Sequence, residues 1–370
     1  MDSLLDFGDD LGPAKIIHCF EPSVGLAGIL VVDNVAAGPS VGGIRMAPDV
    51  TLEECCRLAR AMTLKNAAAG LPHGGGKAVV RGDPKMPPQD KERVIRALAN
   101  ALRDIEEYIL APDMGTDEQC MAWIKDEVDR VVGLPREVGG IPLDEIGATG
   151  WGLSRVALVA AEHCDMELKG ARVVIQGLGA VGTHAARFLS ELGCSLVGAV
   201  DTGGTLYDPS GLNVEALIAL KQEGKSVVDH PSGEKFSGED AVGLDCDIWV
   251  PAARPDVIHK GNVKQIKARL ILQGANIPIT LEAEKTLHEK GVLCVPDFIA
   301  NAGGVICAAM EYRGSTEAGV FQAIEEKLTH NTELVLAAVE KEGILPRDAA
   351  IAMAEERVRK AMSFRRWSIY

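Results

Sequence analysis

The chain has 370 residues, 47% of them hydrophobic, which is enough apolar material for two domains with separate cores. Its formal net charge is −15 and no basic run exceeds two residues, which argues against binding to nucleic acid. An acidic start, no apolar run near the roughly 18 residues of a membrane helix, and nine cysteines without C-x-x-C pairs predict a cytoplasmic protein with no membrane partner. No motif indicates a metal site.

The first 50 residues have the pattern of strands followed by a turn. Alternating apolar positions predict strands over 16–20 and 26–34. The segment GPSVGGIRMAP follows as a predicted turn, in which Gly42 and Gly43 come just before Arg45.

A helix is predicted from Thr51 to Gly70. Thr51 and Glu54 have the spacing of a capping box, and Gly70 can close the helix in a left-handed conformation. Steps of three and four residues place four side chains on one stripe of this helix, namely Leu58, Met62, Lys65 and Ala69. Arg57 and Arg60 fall off that stripe, so we expect both to face solvent.

Two lysines lie in positions that suggest chemistry. Lys65 occupies an apolar helix position, and Lys77 follows three glycines that we expect to form a loop open to a ligand. If both lysines lie in one poorly solvated place, desolvation lowers their pKa values first, and the repulsion between the two charges lowers them further. A lysine with a lowered pKa can act as a general base near neutral pH. The ordinary alternatives are a lysine that extends its amine to water and glycines that only make a turn. Leu71 and Ala78 exclude a P-loop.

A second helix, about residues 90–108, leads to an apolar run and then to Asp113. An aspartate in a turn most often caps a helix or forms the turn. Asp117, however, is better placed to cap the helix that follows. Asp113 is therefore a candidate for chemistry.

The segment ARVVIQGLGAVG, residues 171–182, predicts a dinucleotide-binding turn, because a strand runs into G-x-G-x-x-G and then a helix. Gly177 permits the tight turn, Gly179 lets the pyrophosphate approach the helix, and Gly182 lets the helix pack on the strand. The predicted coenzyme loop also contains Leu178, Ala180 and Val181. Asp201, at the end of the next strand, would accept ribose hydroxyls and repel a 2′-phosphate, which favours NAD over NADP.

Later apolar strands end in loops that carry Ala252, Asn276 and Asn301. Ligands of open α/β sheets lie beyond the carboxyl ends of the strands, so these loops should line the nicotinamide side. Ordinary strand-to-helix turns are the alternative.

The fold class is therefore α/β with two domains. Glycine and proline are frequent over residues 133–147, and we place the domain boundary there. This predicts a first domain over 1–140 and a Rossmann domain over 141–329. Residues 330–370 are predicted to form helices and no strand. We expect these helices to return to the first domain or to pack on a partner subunit.

At this point the chain resembles the glutamate/leucine/phenylalanine/valine dehydrogenase family over nearly its whole length. The matching segments are GPSVGGIRMAP, AMTLKNAAAGLPHGGGK, APDMGT, ATGWG, GLGAVG, GAN and VPDFIANAGGV. The resemblance implies reversible, NAD(P)-linked oxidative deamination of an L-amino acid to a 2-oxo acid and ammonia. It also implies an N-terminal substrate domain that builds a homo-oligomer, with a cleft between the two domains.

The resemblance also implies roles for individual residues. Lys65 corresponds to the lysine that holds the substrate α-carboxylate, helped by the backbone of Gly42 and Gly43. Lys77 corresponds to the lysine that activates water, and Asp113 to the aspartate that relays protons to and from the amine. Three further residues fall where the family places nicotinamide and substrate, namely Thr149, Asn276 and Asn301.

The substrate prediction depends on two positions. Glutamate-specific relatives have a lysine before G-G-x-R and a serine after N-A-G-G, where this chain has Val41 and Ala308. With Ala111 and Val305, these residues predict a small apolar pocket, as in leucine and valine dehydrogenases. An unpaired carboxylate buried there would cost several kcal/mol.

Three alternatives stay open. Phenylalanine or another bulky apolar amino acid could be the substrate. A glutamate dehydrogenase with an atypical pocket would need a cation from elsewhere in the chain. A non-enzymatic NAD-binding sensor would be expected to have lost catalytic residues, and none is lost.

Overall fold

The computed structural model describes residues 7–365, which form two compact units. Within these residues, the first unit comprises 7–142, 305–320 and 351–365, and the second comprises 143–304 and 321–350. None of the helices among residues 7–365 is long and apolar enough to cross a membrane.

The first unit is built on a five-stranded mixed sheet. Its strands are β1 (Lys15–Glu21), β2 (Leu26–Asn34), β3 (Ser40–Ala47), β4 (Gly74–Arg81) and β5 (Tyr108–Pro112). Their spatial order is β1-β2-β4-β3-β5. β2 pairs antiparallel with β1 and β4, whereas β3 pairs parallel with β4 and β5. The helices of this part of the chain are α1 (Leu52–Ala68), α2 (Pro88–Ala101) and α3 (Glu118–Glu127).

Two segments predicted as a turn and a loop are strands. The segment around Gly42 is β3, and Gly74 to Gly76 begin β4. Their glycines are required by packing, because a Cβ on Gly42 would lie 1.7 Å from the carbonyl oxygen of Gly76. A Cβ on Gly74 would lie 1.7 Å from the carbonyl oxygen of Asn34. These glycines let neighbouring chain segments approach closely, which residue propensities do not reveal.

Helix α1 begins and ends as predicted, but a different face is buried. Thr51 Oγ1 accepts a hydrogen bond from the Glu54 amide at 3.1 Å, and Gly70 has φ of 62°. The buried residues are Cys55, Ala59, Thr63, Asn66, Ala67 and Ala68, whereas Leu58, Met62 and Lys65 are half-buried. Small side chains face the sheet because α1 packs closely on β4, where a Cβ on Gly75 would meet Thr63.

The prediction that Arg60 faces solvent is wrong. Its Nε donates to Asp33 Oδ2 at 2.8 Å, and its Nη1 donates to Asp9 Oδ2 at 2.6 Å. Asp33 is buried and needs a cation, and only the folded chain brings it to α1.

The second unit has a seven-stranded sheet in the order β12-β11-β10-β6-β7-β8-β9. The strands are β6 (Arg172–Gln176), β7 (Ser195–Asp201), β8 (Gly204–Tyr207), β9 (Glu234–Phe236), β10 (Ile248–Pro251), β11 (Leu270–Leu272) and β12 (Leu293–Val295). Strands β12, β11, β10, β6 and β7 are parallel, and β8 and β9 continue the sheet antiparallel.

Nine helices of the described chain follow α3. They are α4 (Leu143–Ile146), α5 (Ala148–His163), α6 (Ala180–Glu191), α7 (Val214–Gln222), α8 (Leu281–Glu289), α9 (Asp297–Ala300), α10 (Gly303–Tyr312), α11 (Glu317–Glu342) and α12 (Pro346–Ser363). The sequence prediction groups 330–370 with the first domain, but in the structure 321–350 belong to the second unit and 351–365 to the first. The reason is that α11 packs on α5, where the rings of Trp151 and Phe321 lie 5.5 Å apart.

Candidate active site

Three adjacent strands of the first unit bring together Lys77, Asp113 and Arg45. Lys77 lies within β4, Asp113 follows the last residue of β5, and Arg45 lies on β3 between them. Lys77 Nζ is 2.7 Å from Asp113 Oδ2, and Lys77 is only 5% exposed. The buried ammonium therefore depends on protein groups rather than on bulk water.

Burial is the main influence on both partners of this pair. Burial lowers the pKa of Lys77, Asp113 opposes that shift, and Arg45 adds to it. Burial alone would raise the pKa of Asp113, but Lys77 and Arg45 outweigh it and hold that pKa below its usual value. Arg45 is a cation beside Lys77 that the sequence analysis did not anticipate, and the expected repulsion between Lys65 and Lys77 stays a prediction.

The turn that carries Asp113 is held against β3. The Asp113 amide donates to Thr116 Oγ1 at 3.0 Å, and Thr116 Oγ1 donates to the carbonyl oxygen of Ile44 at 2.8 Å. A Cβ on Gly43 would lie 2.6 Å from Asp113 Cβ. Gly43 is therefore needed to place Asp113. The contact of the Gly42 and Gly43 backbone with a substrate carboxylate stays a prediction. The Gly42 carbonyl oxygen already accepts a hydrogen bond from Tyr108 Oη at 2.6 Å.

Lys65 lies on the turn of α1 that is tied to β4. Its neighbour Asn66 donates from Nδ2 to the carbonyl oxygen of Gly74 at 2.7 Å, three residues before Lys77. Lys65 is half-buried. Its role in binding the α-carboxylate stays a prediction.

An apolar cluster lies beside this pair, built from β3, β5, α10 and the segment that follows α3. Val41, Ile109 and Val132 are buried, and the half-buried Ala111 and Ala308 pack against them. Val41 is opposite Ile109 in the sheet, and Ala111 is two residues before Asp113. Three of the four predicted pocket residues are in this cluster, together with Ile109 and Val132, which the sequence analysis missed. Val305, the remaining predicted pocket residue, is half-buried one turn before Ala308 on α10.

Glu311 fixes the helix that carries Ala308. Its Oε1 accepts from the amides of Gly133 and Leu134 at 2.8 and 3.2 Å, and its Oε2 accepts from Ile141 at 3.0 Å. Burial raises the pKa of Glu311. Sequence reasoning missed this residue, although a carboxylate in the otherwise apolar helix GGVICAAMEY was a usable signal.

In the second unit, the glycine turn between β6 and α6 has the shape expected for a dinucleotide. Gly177 has φ of 98°, and a Cβ on Gly182 would lie 1.8 Å from the Gly177 carbonyl oxygen. A Cβ on Gly179 would meet nothing within 4 Å, so the backbone is open where a pyrophosphate would approach. The other three residues of the predicted coenzyme loop differ in burial. Leu178 is buried, Val181 is half-buried and Ala180 is exposed.

Asp201 is held by four donors of its own chain. Oδ1 accepts from the Gly203 amide and Ser226 Oγ at 2.9 and 2.7 Å. Oδ2 accepts from Lys221 Nζ and the Val227 amide at 2.6 and 2.9 Å. A carboxylate has about four acceptor positions, so a ribose hydroxyl would have to replace or share one of these bonds. Sequence reasoning missed Lys221.

The remaining predicted coenzyme residues cluster at the carboxyl ends of the parallel strands. Asn301 Nδ2 donates to Asn276 Oδ1 at 2.9 Å. The Ala252 amide donates to the Gln176 carbonyl oxygen at 2.7 Å, which places Ala252 beside the glycine turn. A Cβ on Gly303 would lie 3.0 Å from the Cα of Thr149, so Thr149 is close to the segment that follows Asn301. Among residues 7–365, no group of three or more His, Cys, Asp or Glu could hold a metal ion.

Family models match both parts of the chain. Residues 16–130 match "Glu/Leu/Phe/Val dehydrogenase, dimerisation domain", and residues 139–366 match "Glutamate/Leucine/Phenylalanine/Valine dehydrogenase". The chain belongs to this family. It is therefore an NAD(P)-linked amino-acid dehydrogenase, an oxidoreductase that acts on CH–NH2 groups.

Relatives of this dehydrogenase are named for glutamate. It is 40% identical to glutamate dehydrogenase of Aeropyrum pernix, over 90% of this chain and 85% of that one. It is 35% identical to NAD-specific glutamate dehydrogenase A of Halobacterium salinarum, over 88% and 78%. Other relatives are named NADP-specific or NADP-dependent.

A solved structure extends the similarity to the fold. The hetero-hexameric glutamate dehydrogenase of Thermus thermophilus, in a leucine-bound form, superposes with a TM-score of 0.83 at 32% identity. The match covers 97% of this chain and 91% of that one. The names of the relatives favour glutamate over the apolar substrate predicted from the sequence.

Proposed function

We propose that this dehydrogenase deaminates an L-amino acid with a neutral, apolar side chain, reversibly and with NAD. The observation that supports this substrate class is the cluster of Val41, Ile109, Val132, Ala111 and Ala308 beside the Lys77–Asp113 pair. None of its members carries a charge or a side-chain hydrogen-bonding group. A distal carboxylate placed there would lose its hydration without gaining a partner.

Lys77 and Asp113 divide the proton transfers of the reaction. When bound, NAD would supply the acceptor for the hydride on the substrate Cα, and the oxidised substrate is a 2-imino acid. Lys77 removes a proton from the water that attacks this imine and then holds the carbinolamine oxygen. Asp113 takes a proton from the substrate ammonium before the hydride leaves and returns it to the carbinolamine nitrogen. Cleavage of the C–N bond then forms the 2-oxo acid, and the hydroxyl proton leaves with ammonia as ammonium. The lowered pKa of Lys77 lets its amine give up a proton closer to neutral pH than an exposed lysine can.

The preference for NAD rests on Asp201. Its carboxylate would repel a 2′-phosphate, and the nearest cation, Lys221, is already bound to it. Binding of NADP would require Lys221 to leave Asp201. Gly177, Gly179 and Gly182 would hold the pyrophosphate of either coenzyme.

A second candidate is glutamate dehydrogenase with an atypical pocket. The names and 35–40% identity of the relatives favour it. Because the apolar cluster has no charge, glutamate dehydrogenase activity would require a cation from another part of the chain to pair with the side-chain carboxylate of glutamate.

The decisive experiment measures NADH oxidation with ammonia and 4-methyl-2-oxopentanoate, 3-methyl-2-oxobutanoate, phenylpyruvate or 2-oxoglutarate, with NADPH in parallel. We expect turnover of apolar oxo acids and little with 2-oxoglutarate. Preference for 2-oxoglutarate would reject the apolar assignment and leave the second candidate. Val41→Lys should raise relative activity on 2-oxoglutarate, and Val41→Leu, which adds bulk without charge, should not.

The match of residues 16–130 to a dimerisation domain supports a homo-oligomer. We propose that the enzyme assembles from copies of this chain. Light scattering of the purified protein tests this directly.

A further inference from the structure

Arg45 connects the candidate catalytic pair to the start of α1. Its Nε donates to Asp113 Oδ2 at 3.0 Å, the same oxygen that Lys77 Nζ contacts at 2.7 Å. Its Nη1 donates to Glu54 Oε1 at 2.6 Å. The Arg45 side chain is 20% exposed, so these contacts are partly shielded from water.

The role of Glu54 differs from the one its position predicts. In a capping box, the Glu54 carboxylate would return to the Thr51 amide. Here only the first half of that exchange forms, with Thr51 Oγ1 accepting from the Glu54 amide. The Glu54 carboxylate turns to Arg45 instead.

We propose that Arg45, held in place by Glu54, is a positioning residue that keeps the Asp113 carboxylate oriented and ionised beside Lys77. The proposal rests on the proposed catalytic roles of Lys77 and Asp113. It assigns Arg45 and Glu54 no contact with substrate.

The physical reason is the charge of Asp113 when Lys77 becomes neutral. A general base must lose its proton, and a neutral Lys77 would no longer balance the charge of the half-buried Asp113 carboxylate. Arg45 remains positive at all working pH values and continues to pair with Oδ2. It therefore favours the neutral amine and the ionised carboxylate at the same time.

The other titratable groups around the pair do not supply this charge. Cys55 of α1 donates from Sγ to the Lys77 carbonyl oxygen at 3.2 Å, and Tyr108 of β5 is fully buried. Burial raises the pKa of the Cys55 thiol to about 12 and raises the pKa of Tyr108 well above its usual value. Both are uncharged near neutral pH, so neither can take the place of Arg45 beside Asp113.

The test is the pH profile of kcat/KM, measured with the oxo acid that the wild-type enzyme prefers. Arg45→Met removes a positive charge, which raises the pKa of both Lys77 and Asp113. We expect the profile to move to higher pH by on the order of one unit, with about a tenfold loss at pH 7. Arg45→Lys, which keeps the charge, should restore most of the profile.

Glu54→Asp tests the positioning itself, because it keeps the negative charge and withdraws the carboxylate by one methylene. It should move the profile in the same direction by less. Arg57→Met, at an exposed arginine of the same helix, is the matched control and should leave the profile in place.

A uniform loss of activity at every pH, or an unchanged profile, in Arg45→Met would overturn the proposal. If that variant does not fold by circular dichroism, the Glu54→Asp profile decides in the same way. Failure of the underlying catalytic roles is distinguishable, because it would appear as retained turnover in Lys77→Ala.

Discussion

The first glycine of the turn after β6 and the glycines of β3 and β4 serve different purposes. In the turn after β6, Gly177 adopts a left-handed conformation that other residues rarely take. In β3 and β4, Gly42 and Gly74 have extended backbones, and what they provide is the missing side chain between close segments. The first use belongs to a local motif and is visible in the sequence. The second depends on which strands become neighbours.

The largest expected effect separates these two uses. Gly42→Ala would place a Cβ 1.7 Å from the Gly76 carbonyl oxygen, and a sheet backbone cannot move away cheaply. We expect loss of folded protein, or destabilisation by more than about 4 kcal/mol in urea unfolding. Gly179→Ala adds a methyl group to open space, so it should leave stability intact and weaken NADH binding. Equal stability of the two variants would contradict this comparison.

Lys77→Ala separates catalysis in the first unit from coenzyme binding in the second. Loss of the general base should lower kcat by about 10²- to 10⁴-fold. NADH affinity, followed by fluorescence titration, should be unchanged, because the glycine turn belongs to the other unit. Full turnover in a folded variant would reject the proposed mechanism.

Glu311→Gln tests how far the apolar cluster depends on contacts distant in sequence. An amide group cannot accept all three amide hydrogen bonds, so we expect destabilisation by about 1–3 kcal/mol and altered KM for the oxo acid. Burial raises the pKa of Glu311 in the folded chain, so the folded state binds more protons than the unfolded state. The contribution of Glu311 to the free energy of unfolding therefore falls as the pH rises from the pKa of the unfolded state through the raised pKa of the folded state.

The pH dependence supplies the control for this variant. The stability difference between wild type and Glu311→Gln should shrink from pH 5 to pH 8. The exposed Glu106→Gln should show neither the loss nor the trend. A difference that grows with pH would mean that the ionised carboxylate is the stabilising form.

The smallest expected effect concerns coenzyme choice. Asp201→Ser removes the charge that repels a 2′-phosphate and releases Lys221 to meet one. We expect the ratio of kcat/KM for NADPH to that for NADH to rise about tenfold. The double variant with Lys221→Met should lose most of that gain, and if it keeps the gain, Lys221 plays no part in the discrimination.

Several features could be predicted because they depend on neighbours in sequence. Thr51, Gly70 and Asp117 begin or end helices through residues at most three or four positions away. The G-x-G-x-x-G turn likewise contains its own glycine requirements. Lys77 and Asp113 are separate candidates in the sequence, and the family resemblance implies a catalytic role for each, but the ion pair between them comes from the structure.

Tertiary structure alone decided the surroundings of that pair. Arg45 and Asp113 are 68 residues apart, and Glu311 lies 178 residues from Gly133. No periodicity reports such contacts, and the β3 glycines resembled a turn because their partners in β4 and β5 were unknown. The sequence determined which residues were available for chemistry. Long-range strand pairing decided which of them are buried together. Burial lowers the pKa of Lys77, whereas Lys77 and Arg45 lower the pKa of Asp113 against the opposing effect of burial.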